Sequence, residues 1–486
     1  MNQRVIALDS LLNTGVTKRK GCAASGCGGA ADGPDDMAPE VWAKVRDHPC
    51  YSEGAHHYFA RMHVAVAPAC NIQCHYCNRK YDCANESRPG VVSERLTPEQ
   101  AARKVLAVAA AVPQLSVLGV AGPGDALHDF TRTFETFTLV ARTLPDLKLC
   151  LSTNGLALPD HVAAITALNI DHVTITINVV DPEVGTRIYP WIFFRNRRWT
   201  GLEASRILLE RQMEGLERLV AAGVLVKVNS VMIPGVNDEH LKAVNAAVKQ
   251  RGAFLHNIMP LISDPAHGTH FGLSGQRGPT PAELKELQDA LAGGASLMRH
   301  CRQCRADAVG LLGEDRGQEF RLDQLSATTQ TADPAPRLEY RAMVAEARAD
   351  RRRAAKAAAV RLAPLADVLP RRVAVCTKGG GRINQHFGHA REFQVYEVDR
   401  TGVRFIGHRR ADNYCGGGFG QDENLEAIIA ALAGIDTVLA AKIGACPRSR
   451  LAEAGIAVIQ TYAHEYIETS LSALFASGLA PQALAS

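Results

Sequence analysis

The sequence predicts an α/β protein whose larger part is built on a parallel sheet. Short apolar runs alternate with amphipathic runs of helical length, and turn residues separate the two kinds of segment. Strands that are joined through helices lie parallel in one sheet. The alternation occurs six times between residues 41 and 316, which fits a partial (β/α)6 TIM-like barrel and equally a doubly wound open sheet. A smaller α/β unit is predicted to follow.

The predicted strands of the larger unit are short and apolar. They are Met62–Ala67, Ser116–Val120, Leu147–Ser152, His172–Asn178, Leu225–Val231 and Leu255–Met259. The predicted helices are Thr97–Val112, Arg132–Leu144, Pro159–Leu168, Glu203–Ala222, Asp238–Gln250 and Pro281–Ala292. The first helix has the clearest start signal, because Thr97 can cap it, Pro98 suits its first turn and Gln100 completes a capping box.

The composition changes on both sides of this unit. Residues 1–40 predict a flexible tail, in which Cys22 and Cys27 are incidental thiols or transient metal ligands. Residues 317–371 are basic and Ala-rich, which predicts a solvated, partly helical linker. Residues 372–478 predict the smaller unit, whose marked segments His386–His389 and Cys415–Gly418 suit either a metal cluster or plain turns.

The overall charge excludes several classes of partner. The 486 residues carry a formal net charge of +4, which is too small to indicate a nucleic-acid or membrane partner. The sequence has no apolar run of membrane-spanning length and no signal core at its N-terminus, so we expect a cytoplasmic protein. Thiols stay reduced in that compartment, and 13 clustered cysteines therefore point to metal or redox chemistry rather than to disulfides.

Three of these cysteines share one loop directly after the first predicted strand. Cys70, Cys74 and Cys77 have the spacing C-x3-C-x2-C. Thiolates are the usual ligands of iron–sulfur clusters, and three ligands leave one iron of a cubane open to a substrate or cofactor. A zinc knuckle or a disulfide pair is the alternative, but zinc sites are usually closed by four ligands with paired C-x2-C spacings.

Alternation along the strands predicts a polar interior. In Leu147–Ser152 the leucines share one face, and Cys150 lies on the other. By the same rule Thr176 and Asn178, Lys227 and His63 face inward. Barrel interiors are normally filled by branched apolar residues, so a polar interior indicates a reaction chamber.

The loops at the carboxyl ends of the strands are where barrel enzymes place their chemistry. Glycines and an acid, Gly122, Gly124 and Asp125, follow the second strand. Thr153 and Asn154 follow the third strand, and Ile233 follows the fifth, which ends at Val231. Each loop taken alone is an ordinary turn signal.

A second cysteine motif lies near the end of the larger unit. Cys301 and Cys304 form a C-x2-C pair, which needs further ligands to complete a metal site, and Cys83 is the candidate. A thioredoxin-like redox pair is the alternative, although no strand immediately precedes Cys301.

The C-x3-C-x2-C loop after a first strand resembles the signature of the radical S-adenosylmethionine (SAM) superfamily. Together with His48–Cys50, Asn78–Cys83 and Cys301–Cys304, it resembles the NifB family, which makes the precursor of the nitrogenase iron–molybdenum cofactor. Residues 372–475 resemble the dinitrogenase cofactor-biosynthesis (NifX-like) domain. The resemblance implies a partial (β/α)6 barrel followed by a ribonuclease H-like domain.

The resemblance also implies SAM and three [4Fe-4S] clusters. Cys70, Cys74 and Cys77 would hold the cluster that binds SAM, and Cys83, Cys301 and Cys304 would hold a second. Cys50, Cys150 and a histidine would hold the third; His63 fits best, with His56 and His57 as rivals. The residues expected to contact SAM are Gly122, Gly124, Asp125, Thr153, Asn154, Thr176, Asn178, Val231 and Ile233.

The implied reaction fuses two substrate cubanes, with insertion of a SAM-derived carbide and an added sulfur. The expected partners are cofactor scaffold or carrier proteins of nitrogenase and an electron donor such as ferredoxin or flavodoxin. Two alternatives stay open: a radical SAM enzyme that modifies peptides, and a non-catalytic carrier of iron–sulfur clusters. The loops at Gly122–Asp125 and Ile233–Asp238 favour an enzyme, because a carrier has no use for a SAM pocket.

Overall fold

The computed structural model describes residues 37–85, 90–291, 296–298, 300–301, 303–325, 333–362, 369–379, 381–390, 392–410, 415–416, 419–420 and 422–477. The predictions for Cys22, Cys27 and most of the N-terminal tail therefore lie outside the described residues. A helix, Pro39–Val45, begins in the last two residues of the expected tail.

The larger unit is a curled sheet of seven strands with helices packed on its outer face. Its elements are α1 Pro39–Val45, β1 Ala60–His63, β2 Ile72–Gln73, α2 Pro98–Ala111, β3 Leu115–Val120, α3 Phe130–Thr143, β4 Lys148–Thr153, α4 Leu158–Ala167, β5 His172–Thr176, α5 Pro182–Thr186, β6 Trp191–Phe194, β7 Arg197–Thr200, α6 Gly201–Ala221, β8 Leu225–Met232, α7 Leu241–Gln250, β9 Leu255–Pro260, α8 His270–Leu273, α9 Pro281–Ala290 and β10 Val309–Gly310. The strand order is β10-β1-β3-β4-β5-β8-β9, and all neighbours are parallel except β10 with β1. The partial barrel is confirmed.

The two faces of the sheet differ as the alternation predicts. Leu149, Leu151, Val226 and Val228 lie in the apolar core between sheet and helices. Polar residues occupy the concave face, and most of them are buried: Ser152, Thr174, Thr176, Lys227, Asn229 and Asn257. The predicted capping box at α2 is also confirmed, since Thr97 and Gln100 exchange both hydrogen bonds.

A short antiparallel sheet, which the sequence analysis did not predict, covers one side of the barrel. Strands β6 and β7 form a hairpin, and β6 pairs with β2. The two-residue turn of the hairpin places Arg195 at φ 50° and Asn196 at φ 57°. Positive φ at both central residues is the pattern of a type I′ turn, which matches the twist of the strands it joins.

The C-terminal unit is a second α/β layer. It contains β11 Arg371–Val375, β12 Glu392–Asp399, β13 Gly402–Arg410, β14 Cys415–Gly416, β15 Phe419–Gly420, α11 Asp422–Ala431, β16 Thr437–Leu439, α12 Ala445–Glu453, β17 Ala457–Ile459 and α13 Ile467–Ala476. The five-stranded sheet has the order β13-β12-β11-β16-β17. The predicted smaller α/β unit is confirmed, and β13 forms one edge of its five-stranded sheet.

The segment expected to be a solvated linker contains a long packed helix, α10 Ala335–Leu362, which we call helix L. Arg337 is 1% exposed and donates to both carboxylate oxygens of Asp146, at 3.0 and 2.9 Å. Further along, Arg351 donates to Glu468 of α13. Helix L therefore contacts both units. Within the described part of the chain, no helix is long and apolar enough to cross a membrane.

Replacing Arg337 with Met should loosen helix L. Burial raises the pKa of Asp146, but the hydrogen bonds of Arg337 and the charges of Arg337 and Arg341 outweigh burial, so the pKa lies below its ordinary value. The ion pair therefore exists at neutral pH and is lost only in acid. Removing the guanidinium should cost about 2 kcal/mol, less than a fully buried pair, because Asp146 is partly exposed. Hydrogen exchange of the helix L amides should accelerate roughly thirtyfold.

The control for this variant is Arg353→Met on the same helix. The Arg353 side chain is 72% exposed and, among the residues that the structure describes, pairs with Asp350, one turn away. Its loss should change exchange little. Equal exchange rates for the two variants would contradict the role given to Arg337.

Candidate cluster and cofactor site

The cysteine loop is held in shape by side chains that satisfy its backbone carbonyls. Gln73 Nε2 donates to the carbonyls of Cys74 and Cys77, at 2.9 and 2.8 Å. Arg79 donates to the carbonyls of Ile72 and Cys70. Because these contacts use backbone atoms, the three thiols are left to act as ligands.

The three thiols lie in an environment that disfavours bare thiolates. Burial raises the pKa of Cys70 to about 11, and it also raises the pKa of Cys74 and of Cys77. All three are free of disulfides. A cationic partner must offset the cost of ionising them, and the irons of a cluster would do so.

The donor set suits a cluster better than a single ion. Among the described residues, no three His, Cys, Asp or Glu side chains converge on one metal ion. The ligands of a cubane bind different irons, so they lie further apart than the ligands of one ion. Three cysteines on one loop fit such a group, with a fourth iron left for SAM.

The loop after β3 packs directly against the chain that leads to Cys70. The Gly124 N–H donates to the Ala67 carbonyl and the Asp125 N–H to the Ala69 carbonyl, both at 2.7 Å. A Cβ atom on Gly124 would lie 2.0 Å from the Ala69 oxygen, so only glycine fits there. The glycine thus serves backbone packing, in addition to any contact with SAM that the sequence predicts for Gly122 and Gly124.

Asp125 joins the loops that follow β3 and β4. Its carboxylate accepts hydrogen bonds from the Asn154 N–H at 2.6 Å and from the Thr153 hydroxyl at 3.0 Å, as well as from the Leu127 and His128 N–H groups. Burial raises the pKa of Asp125 despite these hydrogen bonds. The buried carboxylate therefore holds the two loops together, and its contact with SAM stays a prediction.

Asn154 extends this network to the cysteine loop. Its Nδ2 lies 3.6 Å from the Cys70 sulfur and donates to Asn71 Oδ1 at 2.7 Å. Gln212, from α6, donates to the carbonyls of Asn154 and Thr176, at 2.7 and 2.8 Å. The sequence analysis missed Gln212, because a glutamine within an amphipathic helix gives no signal that it faces the sheet.

The remaining predicted SAM residues form one buried group under the cysteine loop. Asn178 donates to the hydroxyls of Tyr76 and Tyr189 and accepts from the Val231 N–H, at 2.7, 2.9 and 2.7 Å. Asn237, which lies in the predicted loop Ile233–Asp238 but was not named as a site residue, donates to the Asn178 and Val231 carbonyls and accepts from the Ile233 N–H. The ends of β4, β5 and β8 therefore converge beneath the cysteine loop.

Cys50, His63 and Cys150 line one cavity at the inner face of β1, β3 and β4, together with His48, Arg61 and Lys227. His63 Nδ1 lies 3.2 Å from the Arg305 carbonyl, an arrangement that leaves Nε2 free to act as a ligand. Burial and the charge of Arg61 lower the pKa of His63 to about 4, so the imidazole is neutral at physiological pH.

Gly119 keeps this imidazole in place. A Cβ atom on Gly119 would lie 2.6 Å from His63 Cδ2, so a larger residue would displace the ring. The rival histidines lie elsewhere: His57 Nε2 is 3.2 Å from Gln394 Nε2 of β12, and the His56 ring packs on His57 and His300. The position of His63 favours it as the third ligand, which stays a prediction.

Cys301 of the C-x2-C pair lies close enough to Lys227 to be affected by its charge. Burial raises the pKa of Cys301, and the Lys227 charge lowers it. A chain of amides leads from there to the Cys83 segment: Asn257 contacts Cys301 and donates to Asn229 Oδ1 at 3.0 Å, and Asn229 donates to the Asn85 carbonyl at 3.0 Å.

Cys83 is electrostatically coupled to the cysteine loop. Burial raises the pKa of Cys83, and the neighbouring Cys77 and Cys70 raise it further. Cys83 thus lies between the cysteine loop and the amide chain that ends at Cys301. Its grouping with Cys301 and Cys304 stays a prediction.

Comparison with known proteins gives two matching domains. The model of the radical SAM superfamily matches residues 64–247, and that of the dinitrogenase iron-molybdenum cofactor family matches residues 370–477. The radical SAM domain implies a [4Fe-4S] cluster and SAM, and it identifies the chain as a radical SAM enzyme rather than a non-catalytic carrier.

Curated relatives match over almost the whole chain. The FeMo cofactor biosynthesis protein NifB of Sinorhizobium fredii is 62% identical over 99% of both chains. Its namesake in Rhodobacter capsulatus is 68% identical over 90% of this chain and 97% of the relative. That of Azotobacter vinelandii is 56% identical over 95% of this chain and 94% of the relative.

Replacing Asp125 with Asn should weaken SAM binding. The NH2 group of asparagine would face donors from which the carboxylate now accepts hydrogen bonds, namely the Asn154 N–H and the Thr153 hydroxyl. Because two donors repel each other, Thr153 and Asn154 should move away from the cysteine loop. We expect the Kd for SAM to rise about tenfold, the cost of one unmade hydrogen bond in a buried network. Calorimetric titration of the anaerobically reconstituted protein measures it.

Thr153→Ser is the matched control. Serine keeps the hydroxyl that donates to Asp125, so the Kd for SAM should stay within about twofold of the wild-type value. That change is smaller than the loss of one hydrogen bond would cause. A wild-type Kd for SAM in the Asp125→Asn protein would contradict the role of Asp125 in holding the two loops.

Proposed function

The chain belongs to the family of FeMo cofactor biosynthesis proteins NifB, and on that premise we propose that it joins two [4Fe-4S] clusters into the precursor of the nitrogenase cofactor. Insertion of a carbide from a SAM methyl group and addition of one sulfur give an eight-iron, nine-sulfur product. The two cubanes are substrates. We assign one to Cys83, Cys301 and Cys304 and the other to Cys50, Cys150 and His63.

The shared position of Lys227 carries this proposal. Lys227 lines the cavity of Cys50, His63 and Cys150, and its charge also acts on Cys301. One buried lysine therefore adjoins both proposed substrate sites. Iron–sulfur clusters ligated by thiolates are anionic, so the positive charge of this lysine would favour their approach.

The ligand sets suit clusters that must leave. Each substrate would have only three protein ligands, and one of the six is a neutral imidazole. The Arg305 carbonyl orients His63, while Gly119 leaves space for the ring. Burial keeps the thiols of Cys70, Cys74, Cys83 and Cys301 protonated until a cluster compensates their charge, which ties ligand ionisation to cluster loading.

The residues around the cysteine loop would bind and orient SAM. When bound, the [4Fe-4S] cluster of Cys70, Cys74 and Cys77 supplies the electron for reductive cleavage of SAM. Asp125, Thr153 and Asn154 hold the adjacent loops in place, and the buried group around Asn178 supports the adenosine side. The enclosed chamber excludes water from a reactive radical. We propose nitrogenase cofactor scaffold or carrier proteins as recipients and a ferredoxin or flavodoxin as electron donor.

The anaerobically reconstituted protein should convert SAM to two products, S-adenosylhomocysteine from methyl transfer and 5′-deoxyadenosine from radical formation. Cys74→Ala should reduce both to background, because the cysteine loop would lose one of its three ligands. Cys446→Ala, at an exposed position of the C-terminal unit, should leave both rates unchanged. Chromatography of the products measures both rates. Formation of S-adenosylhomocysteine alone by the wild type would remove the radical step.

The iron content of variants should show which residues hold the substrate clusters. Cys301→Ala and Cys304→Ala should each lower bound iron by about four atoms per chain, the content of one cubane. His63→Gln should lower iron at the other site, whereas His56→Gln, which alters a histidine outside the cavity, should not. Iron and sulfide assays with Mössbauer spectroscopy measure the loss. Full iron retention in Cys301→Ala would contradict its assignment.

A further inference from the structure

The hairpin of β6 and β7 presents an unneutralised positive surface. Arg195, Arg197 and Arg198 are all exposed. Within the described residues none of the three has a carboxylate partner, whereas many exposed arginines elsewhere do, such as Arg277 with Glu283. Arg198 shares one face of the hairpin with Phe193, which is 45% exposed, whereas Arg197 lies on the other face, so the arginines surround the tip of the hairpin. Unpaired arginines beside an exposed aromatic ring are typical of a surface that binds an anionic partner.

Each of these guanidinium groups is supported by an aromatic ring of the hairpin. Arg197 lies 4.1 Å from the centroid of Trp199, Arg198 lies 4.8 Å from that of Trp191, and Arg195 lies 5.2 Å from that of Phe194. Stacking on a ring restricts a long side chain without neutralising its charge. The surface is therefore preorganised for ion pairing, since less side-chain entropy is lost on binding.

The hairpin is joined directly to the cysteine loop. Trp191 pairs with Gln73 across β6 and β2, and the Phe193 N–H donates to the Asn71 carbonyl at 2.7 Å. The Gln73 side chain in turn donates to the carbonyls of Cys74 and Cys77. One strand of backbone therefore separates the arginine surface from the cysteines.

A second contact links the same two features. Arg79 donates to the Cys70 and Ile72 carbonyls, and its guanidinium lies 6.0 Å from the centroid of Trp191. Trp191 thus lies between Arg79, which contacts the cysteine loop, and Arg198, which is exposed.

We propose that the β6–β7 hairpin is the docking surface for a small acidic one-electron carrier protein. The inference rests on the proposed function, because reductive cleavage of SAM consumes one electron that must reach the site of Cys70, Cys74 and Cys77. In the step the docked carrier is oxidised by one electron and that site is reduced by one; no bond or proton is exchanged. Arginine and aromatic side chains also suit nucleic acid, but the direct pairing of the hairpin with the cysteine loop favours a redox partner.

The test compares two triple variants of equal charge in the full-length reconstituted protein. R195Q/R197Q/R198Q removes the hairpin arginines, and R103Q/R132Q/R400Q removes three exposed arginines of other elements. The probe is a purified acidic ferredoxin. Its Kd, measured by calorimetry at low ionic strength, should rise at least about tenfold in the hairpin variant and less than about twofold in the control. The wild-type affinity should fall as salt is raised, and this dependence should be weaker in the hairpin variant.

The oxidation of reduced ferredoxin, followed by stopped flow, should slow in the hairpin variant alone. Reduction of the reconstituted protein by dithionite needs no docking, so its rate should match that of the wild type. Equal ferredoxin affinities in the two triple variants would overturn the proposal. Tight binding of an oligonucleotide that the hairpin substitutions abolish, with ferredoxin binding unchanged, would also overturn it. SAM cleavage by the wild type with dithionite tests the proposed function separately, because its failure would leave the binding comparison valid.

Discussion

The burial of three thiols on one short loop is the constraint on which the rest of the structure depends. A buried thiolate is costly, and the raised pKa values of Cys70, Cys74 and Cys77 express that cost. Gln73 and Arg79 accordingly donate to carbonyls of the loop and not to its sulfurs. Asp125 holds the Asn154 backbone, and Asn154 Nδ2 lies 3.6 Å from the Cys70 sulfur, a distance typical of a weak contact that a cationic group can replace.

The same physical reasoning applies to the chamber behind the loop. A parallel barrel ordinarily fills its interior with apolar side chains, but here the concave face carries amides, hydroxyls, imidazoles and Lys227. Buried polar groups are usually hydrogen-bonded, and the amide chain from Asn85 through Asn229 to Asn257 meets part of that need. Asn257 Oδ1 and Thr174 Oγ1 have no hydrogen-bond partner among the described residues. The polar interior that suits metal clusters is therefore also a hydrogen-bonded framework.

The two units are connected by more than a tether. Helix L anchors to the barrel through the buried Arg337–Asp146 pair and contacts α13 through Arg351. His57, near the start of the barrel, contacts Gln394 of β12. The C-terminal unit is thus seated beside the segment that carries Cys50.

Local patterns in the chain were enough to predict the six β/α repeats, the capped start of α2 at Thr97, the inward position of His63 and Cys150, and the family to which the chain belongs. These follow from period-two and helical patterning, cap chemistry and cysteine spacing, all of which are local. The folded structure was needed to show that β6 and β7 pair with the cysteine loop, that Gln212 and Asn237 hold its neighbours, and that residues 335–362 pack against both units. Those features depend on contacts between residues far apart in the chain, and a glutamine or an arginine has the same local pattern whether it faces solvent or a buried carbonyl.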